Sequence, residues 1–167
     1  MSYDRERYLE QPSPIEFELY SLFEKEEVIT IFEIGSCEGE DSIRYRKLFP
    51  NANIYAFEPL PDNVRLIKQN FLRHGIENVI CINKAISSEN GTVDFYVSSG
   101  RPSNAEESDW DYGNKSSSLL QPEESLIKST FLEFKTKIEV ETISIDDFCK
   151  DNNIRKIDFI HLDVQGA

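Results

Sequence analysis

Cysteine, histidine, methionine and tryptophan are all scarce in this chain of 167 residues, which holds three Cys, two His, one Met and one Trp. Cys37, Cys81 and Cys149 are an odd number at wide spacing, and no Cys-x-x-Cys pair or Cys/His cluster is present. A disulfide framework and a zinc-binding spacing are therefore not indicated, and the sequence predicts a reduced, cytoplasmic protein with free thiols and no metal. Long apolar runs are missing too. Val28–Phe32 is the longest strongly apolar stretch, broken by Thr30, whereas a membrane-spanning helix needs about 20 apolar residues. Met1–Glu10 is charged and has no apolar segment of the secretory-signal kind. Basic residues are outnumbered, 18 against 31 acidic ones, for a formal charge of −13. So acidic a surface repels nucleic acid and anionic lipid, and neither is expected as a partner.

What remains suits one globular domain. Hydrophobic residues make up 39% of the chain, and eleven Phe and seven Tyr can furnish a core. Ser13-Pro14-Ile15-Glu16 carries a helix-start signature, and Ile15, Leu19, Leu22 and Phe23 share one helical face, predicting a helix over about 13–27 behind a loose lead-in. The apolar, β-branched run Val28–Ile34 reads as a buried strand. A tight turn at Gly35–Gly39, a helix over Glu40–Phe49, a strand over Asn53–Glu58, a helix opened by Pro61 and closed by Gly75, and a strand over Val79–Asn83 follow. This alternation predicts an α/β fold, Rossmann-like and doubly wound, with a mainly parallel sheet and right-handed crossovers.

The pattern then changes. Asn90-Gly91 between two strand-like runs, Ala85–Ser88 and Thr92–Val97, predicts an inserted β-hairpin. Ser98–Ser118 is a long polar stretch, the kind that serves as a lid or binding loop. A weak helix near Glu123–Phe131, an alternating strand over Lys135–Ile143, a short helix capped by Ser144, and a last strand over Ile157–Val164 complete the reading.

Several residues can carry chemistry. Strand, acid and glycine turn succeed one another in Glu33-Ile34-Gly35-Ser36-Cys37-Glu38-Gly39. Two glycines let the backbone pass close to a ligand. Their spacing is not the Gly-x-Gly-x-x-Gly of dinucleotide binders, and Glu33, Glu38, Glu40 and Asp41 crowd the turn. Such a turn repels pyrophosphate and tolerates an ammonium or sulfonium ligand, although any strand–turn–helix can hold two glycines. Glu58 ends the next strand about 20 residues past Gly39, where an acid can accept from both ribose hydroxyls. Lys84-Ala85, past the third strand, stands where an adenine edge can lie. Asp163 ends the last strand and should face the same crevice as Gly35 and Glu58. His161 shares its strand face about 7 Å deeper and suits a hydrogen-bonded structural role better than that of a base. Cys37 can line the ligand, as a filler rather than a nucleophile, because its acidic surroundings raise a thiol pKa.

Taken together these motifs resemble the class I S-adenosylmethionine-dependent methyltransferases, and among them the FkbM family. The resemblance runs from about Val28 to Ala167. It rests on Phe32–Gly39, Ala56-Phe57-Glu58-Pro59, Asn83-Lys84-Ala85-Ile86-Ser87, Asn90-Gly91, Thr142–Asp147 and Ile157–Ala167 in that order. It implies that Glu33 and the turn Gly35, Ser36, Cys37 and Gly39 hold the amino acid end of S-adenosylmethionine. Glu58 would hold its ribose, Lys84 and Ala85 would border its adenine, and Asp163 would sit near the sulfonium as the candidate catalytic base. The family transfers methyl groups to hydroxyl oxygens of sugars or small natural products. Departures are His161 where the family usually has Lys, Gln165 where Glu is frequent, and Gly35-Ser36-Cys37 where Gly-Ala-Asn is common. The family fold also continues with further strands and helices. The chain is thus expected to be a partial domain whose last strand forms a sheet edge despite an apolar sequence, and whose natural polypeptide continues. A non-catalytic binding module of the same fold and a nucleotide-binding oxidoreductase domain are the rival readings.

Overall fold

The computed structural model describes residues 5–103, 105 and 113–166. Its centre is a four-stranded, all-parallel sheet in the order β3-β2-β1-β7, formed by β1 (Thr30–Ile34), β2 (Asn53–Phe57), β3 (Val79–Ile82) and β7 (Phe159–Leu162). The predicted parallel α/β arrangement is therefore present. The chain steps outward from β1 to β2 to β3, then crosses back to place β7 on the other side of β1. That reversal is the topological switch point, outside whose strand ends ligands bind in such sheets.

Strand β1 is buried on both faces, which explains its unbroken apolar run. Ile31 joins Tyr45, Phe49 and Ile54 on one side of the sheet. Phe32 and Ile34 join Phe57 and Phe148 on the other, against helix α6 (Ile145–Asp151). Helix α3 (Glu40–Leu48) supplies Tyr45 to the first cluster, and α4 (Pro61–Arg73) buries Val64, Ile67 and Phe71. Pro61 opens α4 where a missing N–H costs nothing, and Gly75 sits beyond its end at φ +63°. Ser144 caps α6 as expected, its Oγ accepting from the Asp147 N–H at 3.1 Å.

Three expectations are corrected. The lead-in forms a helix, α1 (Arg5–Glu10), because Leu9 buries among Ile43, Ile67 and Phe71 and because Arg5 and Tyr8 reach acids of α3. The helix expected over 13–27 is only α2 (Glu16–Leu22). No capping box forms there, the Ser13 contribution being its carbonyl, which accepts from the Glu16 N–H. Leu19 is buried but Leu22 is 70% exposed, so the apolar face is narrower than its sequence suggests.

The third correction concerns the hairpin. Strands β4 (Ala85–Ile86) and β5 (Gly91–Ser99) flank Asn90-Gly91 but do not pair. The long strand β6 (Glu133–Ile143) lies between them, parallel to β4 and antiparallel to β5. Asn90 works through its side chain instead, accepting from the Ser144 N–H at 2.8 Å and donating to Asp147 at 2.7 Å, which ties the turn to the start of α6. Strand β7 is a sheet edge, as expected, and its apolar Leu162 is 60% exposed.

Part of the 98–118 stretch lies outside the described residues. Its ends are ordered by β5, by a bridge between Tyr96 and Ser118, and by a 3-10 turn over Gly113–Lys115. The expected helix near 123–131 is α5 (Glu124–Ser129). Cys37, Cys81 and Cys149 are free thiols, and no helix among the described residues is long and apolar enough to cross a membrane.

Candidate functional site

Gly35 follows the carboxyl end of β1 at the switch point, packed against the backbone that follows β7. Its φ is +89°, and a Cβ there would lie 2.0 Å from the Asp163 carbonyl oxygen. Only glycine allows that approach. The N–H groups of Gly35 and Ser36 both donate to the Phe57 carbonyl at 3.0 Å, fastening the turn to β2. Gly39, expected to border the ligand, has a different position. A Cβ there would meet Phe71 at 2.9 Å, so this glycine permits α3 to pack on α4 and lines neither part of the crevice.

The crevice has two lobes that share a wall made by Gly35, Cys37, Lys115 and Asp163. The first lobe, about 560 Å³ including space open to solvent, is a slot between apolar side chains of Ile34, Phe57, Pro59, Ala85, Phe95 and Leu119. Glu58, Lys84 and Asn114 supply its polar edge. The second, about 730 Å³ on the same measure, is acidic, with Glu33, Glu40, Asp41 and Asp163 beside Tyr8, Ser36 and His161. The fold thus brings together every predicted site residue except Gly39.

Glu58 is buried, and both of its oxygens are engaged. Oε2 accepts from the Cys37 N–H and Oε1 from the Leu60 N–H, each at 2.8 Å. Desolvation pushes its carboxyl up to about 7, against the opposing pull of those two N–H groups and Asn63. A group poised there gains by receiving further hydrogen-bond donors.

Glu33 is buried near the carboxyl end of β1 and accepts from the Ser42 hydroxyl of α3. Burial, reinforced by the Asp41 charge, raises it well above the usual carboxylate range. Burial likewise pushes the Cys37 thiol up to about 12, with the Lys115 ammonium offsetting part of the rise. The inert role expected for Cys37 follows from desolvation more than from its acidic neighbours.

His161 is not sealed in the core. It is half-buried on the second lobe, its Nδ1 3.1 Å from the Tyr45 hydroxyl. Glu33, Asp41 and His161 each bring a potential metal-ligand atom within 4.8 Å of one another. Each already has protein partners: Ser42 on Glu33, Tyr45 on His161, and Tyr8 and Arg44 on Asp41. The sequence showed no such grouping, because the three residues come from β1, α3 and β7.

Asp163 faces both lobes and accepts from the Gln165 side-chain amide at 2.8 Å. Lys84 borders the first lobe while its ammonium bonds Glu141 at 2.8 Å. Sequence reasoning missed Asn114 and Lys115. They belong to the 3-10 turn that closes the crevice, and Gly113 was the local signal in an otherwise featureless polar stretch. A Cβ at Gly113 would lie 2.3 Å from the Ser99 carbonyl oxygen. Asn114 donates to Glu38 at 2.9 Å, while its own buried Oδ1 has no hydrogen-bond partner among the described residues.

The chain is 33% identical over 150 residues to the 2-O-methyltransferase NoeI of Sinorhizobium fredii (strain NBRC 101917 / NGR234), an alignment covering 90% of the chain and 58% of that protein. The chain therefore spans a little over half the length of this relative. Among solved structures, a precorrin-6y C5,15-methyltransferase from Geobacter metallireducens GS-15 matches 44% of this chain and 40% of its own, at 21% identity and a TM-score of 0.35, too distant to bear on the argument. The sequence profile of the methyltransferase FkbM domain matches residues 33–167, from the acid of β1 through the turn after β7, and the chain belongs to that family.

Proposed function

We propose that this chain binds S-adenosylmethionine and forms part of a methyltransferase acting on a hydroxyl oxygen of a carbohydrate or small natural product. The observation that carries this reading is the pairing of an apolar slot with an acidic lobe across one glycine turn. A flat adenine suits the slot, and a sulfonium and an ammonium suit the lobe. The donor and acceptor chemistry fits the group: Glu58 retains acceptor capacity for ribose hydroxyls, and Asn114 Oδ1 is a buried acceptor lacking a donor. A pyrophosphate would face four carboxyl groups, which disfavours the dinucleotide alternative.

The bound cofactor would supply a methyl group on a sulfonium, an excellent leaving group. The protein's task is then to align the acceptor oxygen with the C–S bond and to exclude water. The walls at Phe57, Ala85 and Leu119 would keep the nucleoside dry. Asp163, on the shared wall, is the group proposed to take the hydroxyl proton as the new C–O bond forms. The Gln165 amide bonded to its Oδ1 would hold the carboxylate in place.

The test is transfer of an isotopically labelled methyl group from S-adenosylmethionine by the whole protein to a panel of saccharides and small alcohols. Label in a new methyl ether is expected, and Asp163→Asn should abolish it. Cofactor binding with no label in any hydroxyl compound would favour a non-catalytic module. The NoeI relative, a 2-O-methyltransferase by name, motivates placing sugars in the panel.

A further inference from the structure

We infer that Lys115, from the 3-10 turn Gly113–Lys115, binds the carboxylate of the cofactor's amino acid end. The inference rests on the S-adenosylmethionine reading above and extends it to a residue outside the glycine turn.

Charge makes the argument. Glu33, Glu40, Asp41 and Asp163 line the second lobe, and Lys115 is the one Lys or Arg on that wall among the described residues. The amino acid end is a zwitterion. Its ammonium finds acids in the lobe, and the Lys115 ammonium offers its carboxylate a positive charge amid those acids. Two arginines stand nearby but line neither lobe. Arg5 pairs with Glu38 and Glu40, and Arg44 bonds Asp41 and the Tyr8 carbonyl. Lys84 borders the other lobe and is held by Glu141.

Geometry agrees. The Lys115 side chain is 20% exposed and touches both lobes, at the junction where the nucleoside would give way to the amino acid. Its Nζ lies 3.9 Å from Glu40 Oε2, near the outer limit of an ion pair. An ammonium has three donors, so it can keep protein partners, Glu40 among them, and also donate to a ligand carboxylate. The turn that carries it is firmly placed. The Gly113 N–H donates to the Gly100 carbonyl at 3.2 Å, Asn114 donates to Glu38 at 2.9 Å, and the Ser116 N–H donates to the Ser98 hydroxyl at 2.9 Å. The ammonium is therefore presented to the lobe by an anchored backbone, not by a freely swinging loop.

The test is calorimetry with two nucleosides, S-adenosylhomocysteine and its decarboxylated analogue, which lacks only the carboxylate. The proteins are the unaltered chain, Lys115→Gln and Lys115→Arg. In Lys115→Gln, affinity for S-adenosylhomocysteine should fall about tenfold or more, the size of one hydrogen bond to a charged group. Affinity for the decarboxylated analogue should stay unchanged, which also reports that the variant is folded. Lys115→Arg should restore most of the loss. Equal losses for both nucleosides, or no loss for either, would overturn the inference and leave the cofactor reading standing. Failure of the unaltered chain to bind S-adenosylhomocysteine at all would remove the cofactor reading, and this inference with it.

Discussion

Replacing Glu58 by Ala should weaken S-adenosylhomocysteine binding by about 10- to 100-fold while leaving the chain folded. The magnitude comes from the carboxylate's surroundings. Glu58 is 4% exposed, and its two oxygens accept from the Cys37 and Leu60 N–H groups at 2.8 Å. A carboxylate offers about four acceptor sites, so it can also take a ribose hydroxyl on its crevice side. A hydrogen bond to a charged group contributes about 1.5–3 kcal/mol, and about 1.4 kcal/mol corresponds to a factor of ten. The truncation also frees two backbone donors, at about 1–3 kcal/mol for any that stays buried and unmatched. Removing a carboxylate that sits uneasily in the interior opposes that loss. Calorimetric titration at pH 8, where Glu58 is ionised, gives the affinity, and a thermal melt checks the fold. An unchanged dissociation constant in a folded Glu58→Ala protein would refute the ribose assignment.

Two further predictions concern pH and the glycine turn. Because the folded Glu58 pKa of about 7 stands above the ordinary 4.5, its contribution to stability is present below about pH 4.5 and is lost as pH rises through 7, by about 3 kcal/mol; Glu33 acts in the same direction. Melts of the ligand-free chain at pH 5.5 and 8 should show about 2 kcal/mol of that decline, the rest falling below pH 5.5. Glu58→Gln should flatten it, and identical slopes in the two proteins would contradict the assigned shift. Gly35→Ala should destabilise the chain by about 2–4 kcal/mol, because its Cβ would lie 2.0 Å from the Asp163 carbonyl oxygen at a φ of +89°. Gly75→Ala, with open space and a φ of +63°, should cost about 1 kcal/mol, and equal effects in urea melts would show that close approach at Gly35 is not the issue.

The central sheet was legible because its strands are short apolar runs between Gly and Pro signals, the clearest of them β1, which is buried on both faces. Pro61, Gly75 and Ser144 mark element ends that the structure keeps, since each supplies a local backbone requirement. The inserted sheet was misread for the opposite reason. Asn90-Gly91 is a local hairpin signal, yet β5 pairs with β6, a strand far along the chain, and no local pattern encodes that insertion. Gly35 and Gly39 look alike in sequence. One is required by the β7 backbone and the other by the Phe71 ring, and only packing tells them apart. Lys115 and the Glu33–Asp41–His161 grouping were likewise invisible, because their neighbours come from separate elements.

The most direct test of the two-lobed crevice is a titration of the unaltered chain with S-adenosylhomocysteine beside one with NAD. Saturable binding of the sulfur nucleoside at one site, with no heat from the dinucleotide, is the predicted result. Binding of NAD in its place, or of neither compound, would contradict the assignment of the apolar slot and acidic lobe.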